Sequence, residues 1–242
     1  MIAWMVTAAL AGEGAFDHAT FGAFLDGAVA DNGVSYSTLA ARRATLDTYL
    51  AELAALSLDG LSTPDQVALW VNAYNANTLA TVLDAGPPAS IRDIDGGEVW
   101  KTRSFTVAGQ TVTLDDMEHR RARPLTDGRI HAVVNCASKG CPPLPPEPIR
   151  GAALSAQLDA ASRRWAKINA YSWQGDTLQL SKIFDWYAED FVSGRVDGVS
   201  DPKIAGAVGF LVRFVDAEEA ARIRAAAGTA GWQDYDWTLN AR

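Results

Sequence analysis

The stretch from Thr63 to Pro88 restricts the possible folds of this chain more than any other. Thr63-Pro64-Asp65 combines a helix cap, a first-turn proline and an acid matched to the helix dipole, and Gly86-Pro87-Pro88 is a stop, so a helix is predicted over 65–85. Between these signals the residues are apolar on almost every side, which a surface helix would not tolerate. The helix must therefore run through the centre of the protein, with the other elements wrapped around it. It also carries Asn72, Asn75 and Asn77, amides that favour helices poorly and are costly to bury unpaired. At about 100° per residue, Asn72 and Asn75 share a face with Ala68, Ala76 and Leu79, opposite Trp70, Tyr74 and Asn77. Two core amides need partners. Either they hold the backbone of a neighbouring loop, or they orient a catalytic imidazole or bind a substrate carbonyl.

The remaining patterns are shorter. Phe16, Phe21, Phe24, Leu25 and Val29 predict a helix over 16–30 closed by Asn32-Gly33. Leu46, Tyr49, Leu50 and Leu53 predict another over 39–56, capped by Ser37 or Thr38. A hairpin is expected over 104–112 around Ala108-Gly109, followed by a short helix opened by a Thr113–Asp116 capping box, TLDDMEHRRAR. Further helices are expected over 152–168, 204–215 and 217–227, with strands over 177–180 and within 232–239. The aromatic run SKIFDWYAEDF between them reads as a core-facing helix. With helical patterns dominant and strands few, the expected class is α+β: a mostly helical single domain over 16–242 with one small antiparallel β-sheet.

A formal net charge of -8, with no Lys/Arg run, speaks against nucleic acid and against a polybasic membrane contact. The opening MIAWMVTAALAGEGA has the short apolar run and small residues of a secretory signal peptide, without the positive n-region. It falls far short of the ~20 apolar residues of a transmembrane segment. The expected location is periplasmic or secreted, or cytoplasmic if residues 1–15 are simply a first apolar element.

Chemistry concentrates in Arg129 to Pro146, RIHAVVNCASKGCPPLPP. A short β-branched run predicts a strand ending near Cys136, followed by a loop holding Cys141. The gap CASKGC matches neither a CxxC redox motif nor the usual zinc-ribbon spacing. The leading hypothesis is a thiol-dependent hydrolase or acyl transferase with Cys136 as nucleophile. In an extended strand His131 points away from Cys136, so His119, beside Glu118, is the expected base, with Glu118, Asn72 or Asn75 orienting it. Ser138 is expected to lend a donor, and the N–H groups of 137–140 to form an anion-stabilising nest. One alternative is a binding module stapled by a Cys136–Cys141 disulfide; another is zinc held by His119, His131, Cys136 and Cys141. No cofactor is expected, and the ligand class is a small molecule or something peptide-like.

Together LWVNAYNANTL, TLDDMEHRRAR, RIHAVVNCASKGCPPL, LSKIFDWYAEDF and YDWTLN resemble the domain of unknown function 547 family, over nearly the whole chain from about Phe16. The resemblance implies an exported bacterial protein and brings no established activity. Its motif positions are Asn72, Asn75, Glu118, His119, Arg123, His131, Cys136, Ser138, Cys141 and Pro142. Among these, His131, Cys141, Ser138 and Arg123 are the expected substrate contacts.

Overall fold

In a computed structural model, which describes residues 15–242, the predicted central helix spans Thr63–Asp84, and every residue from Val67 to Val82 is buried. The start signal works one residue earlier than expected, with Ser62 Oγ accepting from the Asp65 N–H at 3.3 Å. The apolar run Met1 to Gly14, expected to be an export signal, lies outside the described residues.

Before this helix, α1 (Ala19–Leu25) packs on α3 (Arg43–Ala55). The helix expected over 16–30 stops early because Val29–Ala30 (β1) turns back to pair with Gly33–Val34 (β2). The one expected over 39–56 is broken at Ala41-Arg42 into α2 (Tyr36–Ala40) and α3. Arg42 donates across that break to the carbonyls of Phe24 and Asp26, fastening it to the end of α1. The central helix is α4. After it come α5 (Val99–Thr102) and the predicted hairpin, β3 (Phe105–Val107) with β4 (Gln110–Val112). The chain continues through α6 (Leu154–Ile168), β5 (Tyr171–Gln174), β6 (Thr177–Leu180), α7 (Lys182–Trp186), α8 (Pro202–Leu211), α9 (Ala217–Ala226) and β7 (Gly231–Trp232).

The α+β class with helices dominant is as expected, but three small sheets replace the single antiparallel one. β7 joins β6 in parallel, a pairing that needs a long crossover, which α7 to α9 supply. The late strand expected within 232–239 is mostly not sheet. Its continuation is shared out, Thr238 pairing with Ser90, Leu239 with Ser138 and Ala241 with Val34. Among the described residues no helix is long and apolar enough to cross a membrane.

Two apolar clusters make the core. One surrounds α4; the other gathers Trp165, Phe184, Phe191 and Phe210 from the C-terminal half. Ile130 and Val133 belong to the first cluster and Ala132 to the second, so the segment before the cysteine loop lies on their seam.

The first cluster holds a buried histidine. His18 Nδ1 lies 2.6 Å from the Tyr49 hydroxyl, and burial pushes its pKa down to about 4 against the opposing pull of Asp17 and Asp65. The folded pKa is below the unfolded one, so the contribution to stability is complete above about 6.5 and declines as pH falls towards 4. The expected loss is on the order of 3 kcal/mol. Urea unfolding at pH 7 and pH 4.5 should show this loss in the wild type and a smaller one in His18→Gln. Equal losses would show that another group carries the acid sensitivity.

Candidate functional site

The segment Gly128–Ala132 is a 3-10 turn, not the predicted strand. The Asp127 carboxylate caps it by accepting from the Arg129 N–H at 3.0 Å, and this local bond wins over the β preference of the following residues. A Cβ at Gly128 would stand 2.7 Å from the Asp190 carbonyl oxygen and 2.9 Å from the Phe191 ring, so only glycine lets the turn meet residues 190–191 so closely. The coiled backbone buries His131 and brings its Nε2 to 2.7 Å from Asp190 Oδ2. Contrary to the strand geometry, His131 lines the same cavity as Cys136.

Asp190 is an ionised anchor. Burial alone would raise its pKa, but the hydrogen bonds from His131 and Arg123 outweigh burial and hold it at about 2. A carboxylate can only accept, so His131 Nε2 carries a proton, and in the neutral imidazole Nδ1 is the nitrogen with the lone pair. That nitrogen makes no hydrogen bond among the described residues and is not sealed in the core. His119 is differently placed. Its Nδ1 is 2.6 Å from Arg123 Nη1, and an arginine can only donate. The His119 proton therefore sits on Nε2, 3.6 Å from Asp115, and its lone pair is already taken. Arg123, an expected substrate contact, instead clamps protein groups. It reaches Asp190 at 2.7 Å, Glu189 at 2.6 Å and His119, with its guanidinium 4.9 Å from the Tyr187 ring centre.

The expected short helix bearing Glu118 and His119 forms with the capping box intact, Asp116 N–H donating to Thr113 Oγ1 at 3.0 Å. Over Asp116–Ala122 it is wound as a π-helix. Asp115, Glu118 and His119 line the cavity from this element.

Of the two core amides, Asn75 serves the cysteine loop. It donates to the Val133 carbonyl at 2.8 Å and accepts from the Asn135 N–H at 2.9 Å. Asn72 does not reach that loop. It clips Ile149 instead, donating to its carbonyl at 2.7 Å and accepting from its N–H at 2.9 Å. Asn77 bonds back to the Ala73 carbonyl of its own helix.

The loop is held by a residue that sequence reasoning passed over. Asn135 Oδ1 accepts from Ala137 N–H at 2.9 Å and from Asn240 Nδ2 at 3.0 Å, while its Nδ2 donates to the Pro142 carbonyl at 2.7 Å. These bonds hold Ala137 at φ 62, a left-handed conformation uncommon outside glycine. The expected N–H nest is free only at Ser138, whose backbone N–H favours the Cys136 thiolate. Ala137 N–H goes to Asn135, Lys139 N–H to the Thr238 carbonyl and Gly140 N–H to the Asp236 carbonyl. Gly140 is another close approach, since a Cβ there would be 3.0 Å from the Tyr235 ring.

Tyr235 is the second residue missed. Its hydroxyl lies 3.2 Å from Cys136 Sγ and 2.8 Å from Ser138 Oγ, which is itself 3.1 Å from Cys136 Sγ. Both cysteines are free thiols, with sulfurs 2.9 Å apart, and Cys141 Sγ accepts from the Cys136 N–H at 3.0 Å. The hydrogen bond from Cys141 lowers the Cys136 pKa to about 7; Ser138 and Tyr235 assist and burial opposes. Burial and the neighbouring Cys136 push Cys141 well up. Iodoacetamide labelling of Cys136 should therefore rise with a midpoint near pH 7, and Tyr235→Phe should move that midpoint upward. A wild-type midpoint at the ~8.5 of a free cysteine would rule out this activation.

Cys136, Cys141, Pro142, His119, His131 and Glu118 all line one cavity of about 330 Å³. Its outer wall is aromatic, Trp186, Tyr235 and Trp237 packing with ring centres 4.5 to 5.8 Å apart. The signal for these walls was the aromatic density of FDWY and YDW, whose convergence from distant positions no local pattern announces. Among the described residues no three His, Cys, Asp or Glu side chains gather as a metal ion would require. Over residues 58–165 the chain matches the model of the family described as Protein of unknown function, DUF547. Neither the curated proteins nor the solved structures include a match.

Proposed function

Since residues 58–165 belong to the DUF547 family, whose description names no chemistry, we propose from the cavity itself that the protein is a thiol-dependent hydrolase or acyl transferase. Cys136 is the nucleophile, and His131, oriented by Asp190, is the base. The observation that supports this most is that an acidified thiol and an imidazole anchored through Nε2 on Asp190 line the same cavity. His131 replaces His119 as the base because the lone pair of His119 is held by Arg123.

The Cys136 proton passes to His131 Nδ1 and the thiolate attacks a substrate carbonyl carbon, forming a C–S bond and an oxyanion. Tyr235, whose hydroxyl is beside Cys136 Sγ, supplies an oxyanion donor, with the Ser138 N–H beside it. The intermediate collapses to a thioester as the leaving group takes the proton from His131. Water or another acceptor then loses a proton to His131 and attacks the thioester, and Cys136 leaves as thiolate. If the export segment is used, this chemistry takes place outside the cytoplasm.

Intact-mass measurement after mixing with an activated ester tests the proposal. The wild type should carry one transient acyl group on Cys136, and Cys136→Ser should carry none. Stable acylation confined to surface lysines would overturn it.

A further inference from the structure

The same cavity holds a carboxylate that the proposed chemistry does not use. Glu118 is 7% exposed and lines the cavity. The cations of its own turn are committed elsewhere: Arg120 to Asp116, Arg121 to Gln110, and Arg123 to Glu189 and Asp190. Glu118 forms no ion pair among the described residues. Its neighbour is the Tyr187 phenol, whose pKa is pushed far up by burial and by the Glu118 charge. A phenol proton satisfies one of about four lone-pair positions on a carboxylate, which leaves most of its acceptor capacity facing the cavity. A buried carboxylate without a cation is expensive, and an incoming positive charge relieves that cost.

The walls suit such a charge. Tyr74, Trp100 and Tyr187 also line the cavity, and aromatic faces attract ammonium groups. Asp115 adds a second carboxylate, against one lining ammonium, the exposed Lys101. The thiolate of Cys136 adds further negative charge.

We infer that the cavity selects a substrate carrying an ammonium group, bound by Glu118 among the aromatic side chains and presenting its reacting carbonyl to Cys136. The inference rests on the proposed chemistry only for the role of Cys136, and binding can be measured without it. In the Cys136→Ser protein, which lacks the thiol, tryptophan fluorescence can report binding through Trp100, Trp186 and Trp237. Suitable probes are pentylammonium, its neutral isostere 1-pentanol, Nα-acetyl-lysine amide for a side-chain amine and alaninamide for an α-amine.

Saturable binding of pentylammonium is expected, with 1-pentanol weaker by roughly 10-fold or more and a similar loss in Glu118→Gln. The two amino-acid amides distinguish the source of the ammonium group. Equal binding of alcohol and ammonium, or no saturable response to any ammonium probe, overturns the inference. The alcohol comparison needs no change at Glu118, so a misfolded Glu118→Gln would not obscure the result. Failure here with Cys136 still acylated in the wild type would remove the ammonium preference and leave the thiol chemistry standing.

Discussion

Replacing His131 with alanine should slow turnover of an activated ester by about 10²- to 10⁴-fold, the usual loss when a positioned general base is removed. Replacing His119 should cost far less. The difference follows from the ring nitrogens, since His131 donates its N–H to Asp190 and keeps a free nitrogen, whereas the lone pair of His119 accepts a hydrogen bond from Arg123. Asp190→Asn adds a diagnostic, because an amide can hold the wrong tautomer of His131 while preserving shape. It should lower the rate without preventing Cys136 alkylation, whose acidification comes from Cys141, Ser138 and Tyr235. If His119→Ala is the more damaging change, then Arg123 must leave His119 during the reaction and the base assignment reverts to it.

The second large effect concerns stability. Asn75→Leu strands the Val133 carbonyl and the Asn135 N–H, both served by this side chain. At about 1–3 kcal/mol for each buried group left unsatisfied, the loss should be roughly 3 kcal/mol or more. Asn72→Leu strands the two backbone groups of Ile149 and should cost a similar amount. The two changes differ in their effect on the thiol. Asn75→Leu loosens Asn135 and should raise the alkylation midpoint of Cys136, while Asn72→Leu should leave it in place. Chemical denaturation alongside the labelling profile separates these effects; a shifted midpoint in Asn72→Leu would mean that Ile149 communicates with the loop.

The central helix was legible because its signals are local: a proline start, a Gly-Pro stop and apolar residues on every side. The need of Asn72 and Asn75 for backbone partners was equally legible, but which loop each would meet was not, since their partners lie 77 and 58 residues away. The strand at Arg129 was misread for a physical reason. Its β-branched residues do favour extension, but the Asp127 cap and the Asp190 contact, 59 residues from His131, coil the backbone instead. That single change reversed the orientation of His131 and with it the choice of base. Tyr235 gave no local sign beyond the aromatic density of YDW, because its role exists only once the tail lies across the cysteine loop.

The dependence of Cys136 on Tyr235 and Asn240 has a temporal side. Tyr235 is 99 residues beyond Cys136, and Asn240 is 105 beyond the Asn135 that it steadies. As the chain emerges from the ribosome, Cys136 and Cys141 are made long before the tail that carries the Tyr235 hydroxyl, which assists Cys141 in lowering the Cys136 pKa. Through that interval Cys136 lacks the Tyr235 hydrogen bond and its loop lacks the Asn240 brace, so its full acidification waits until residues 235–240 settle over the loop. The full set of groups that lowers the thiol's pKa therefore includes one made 99 residues after it.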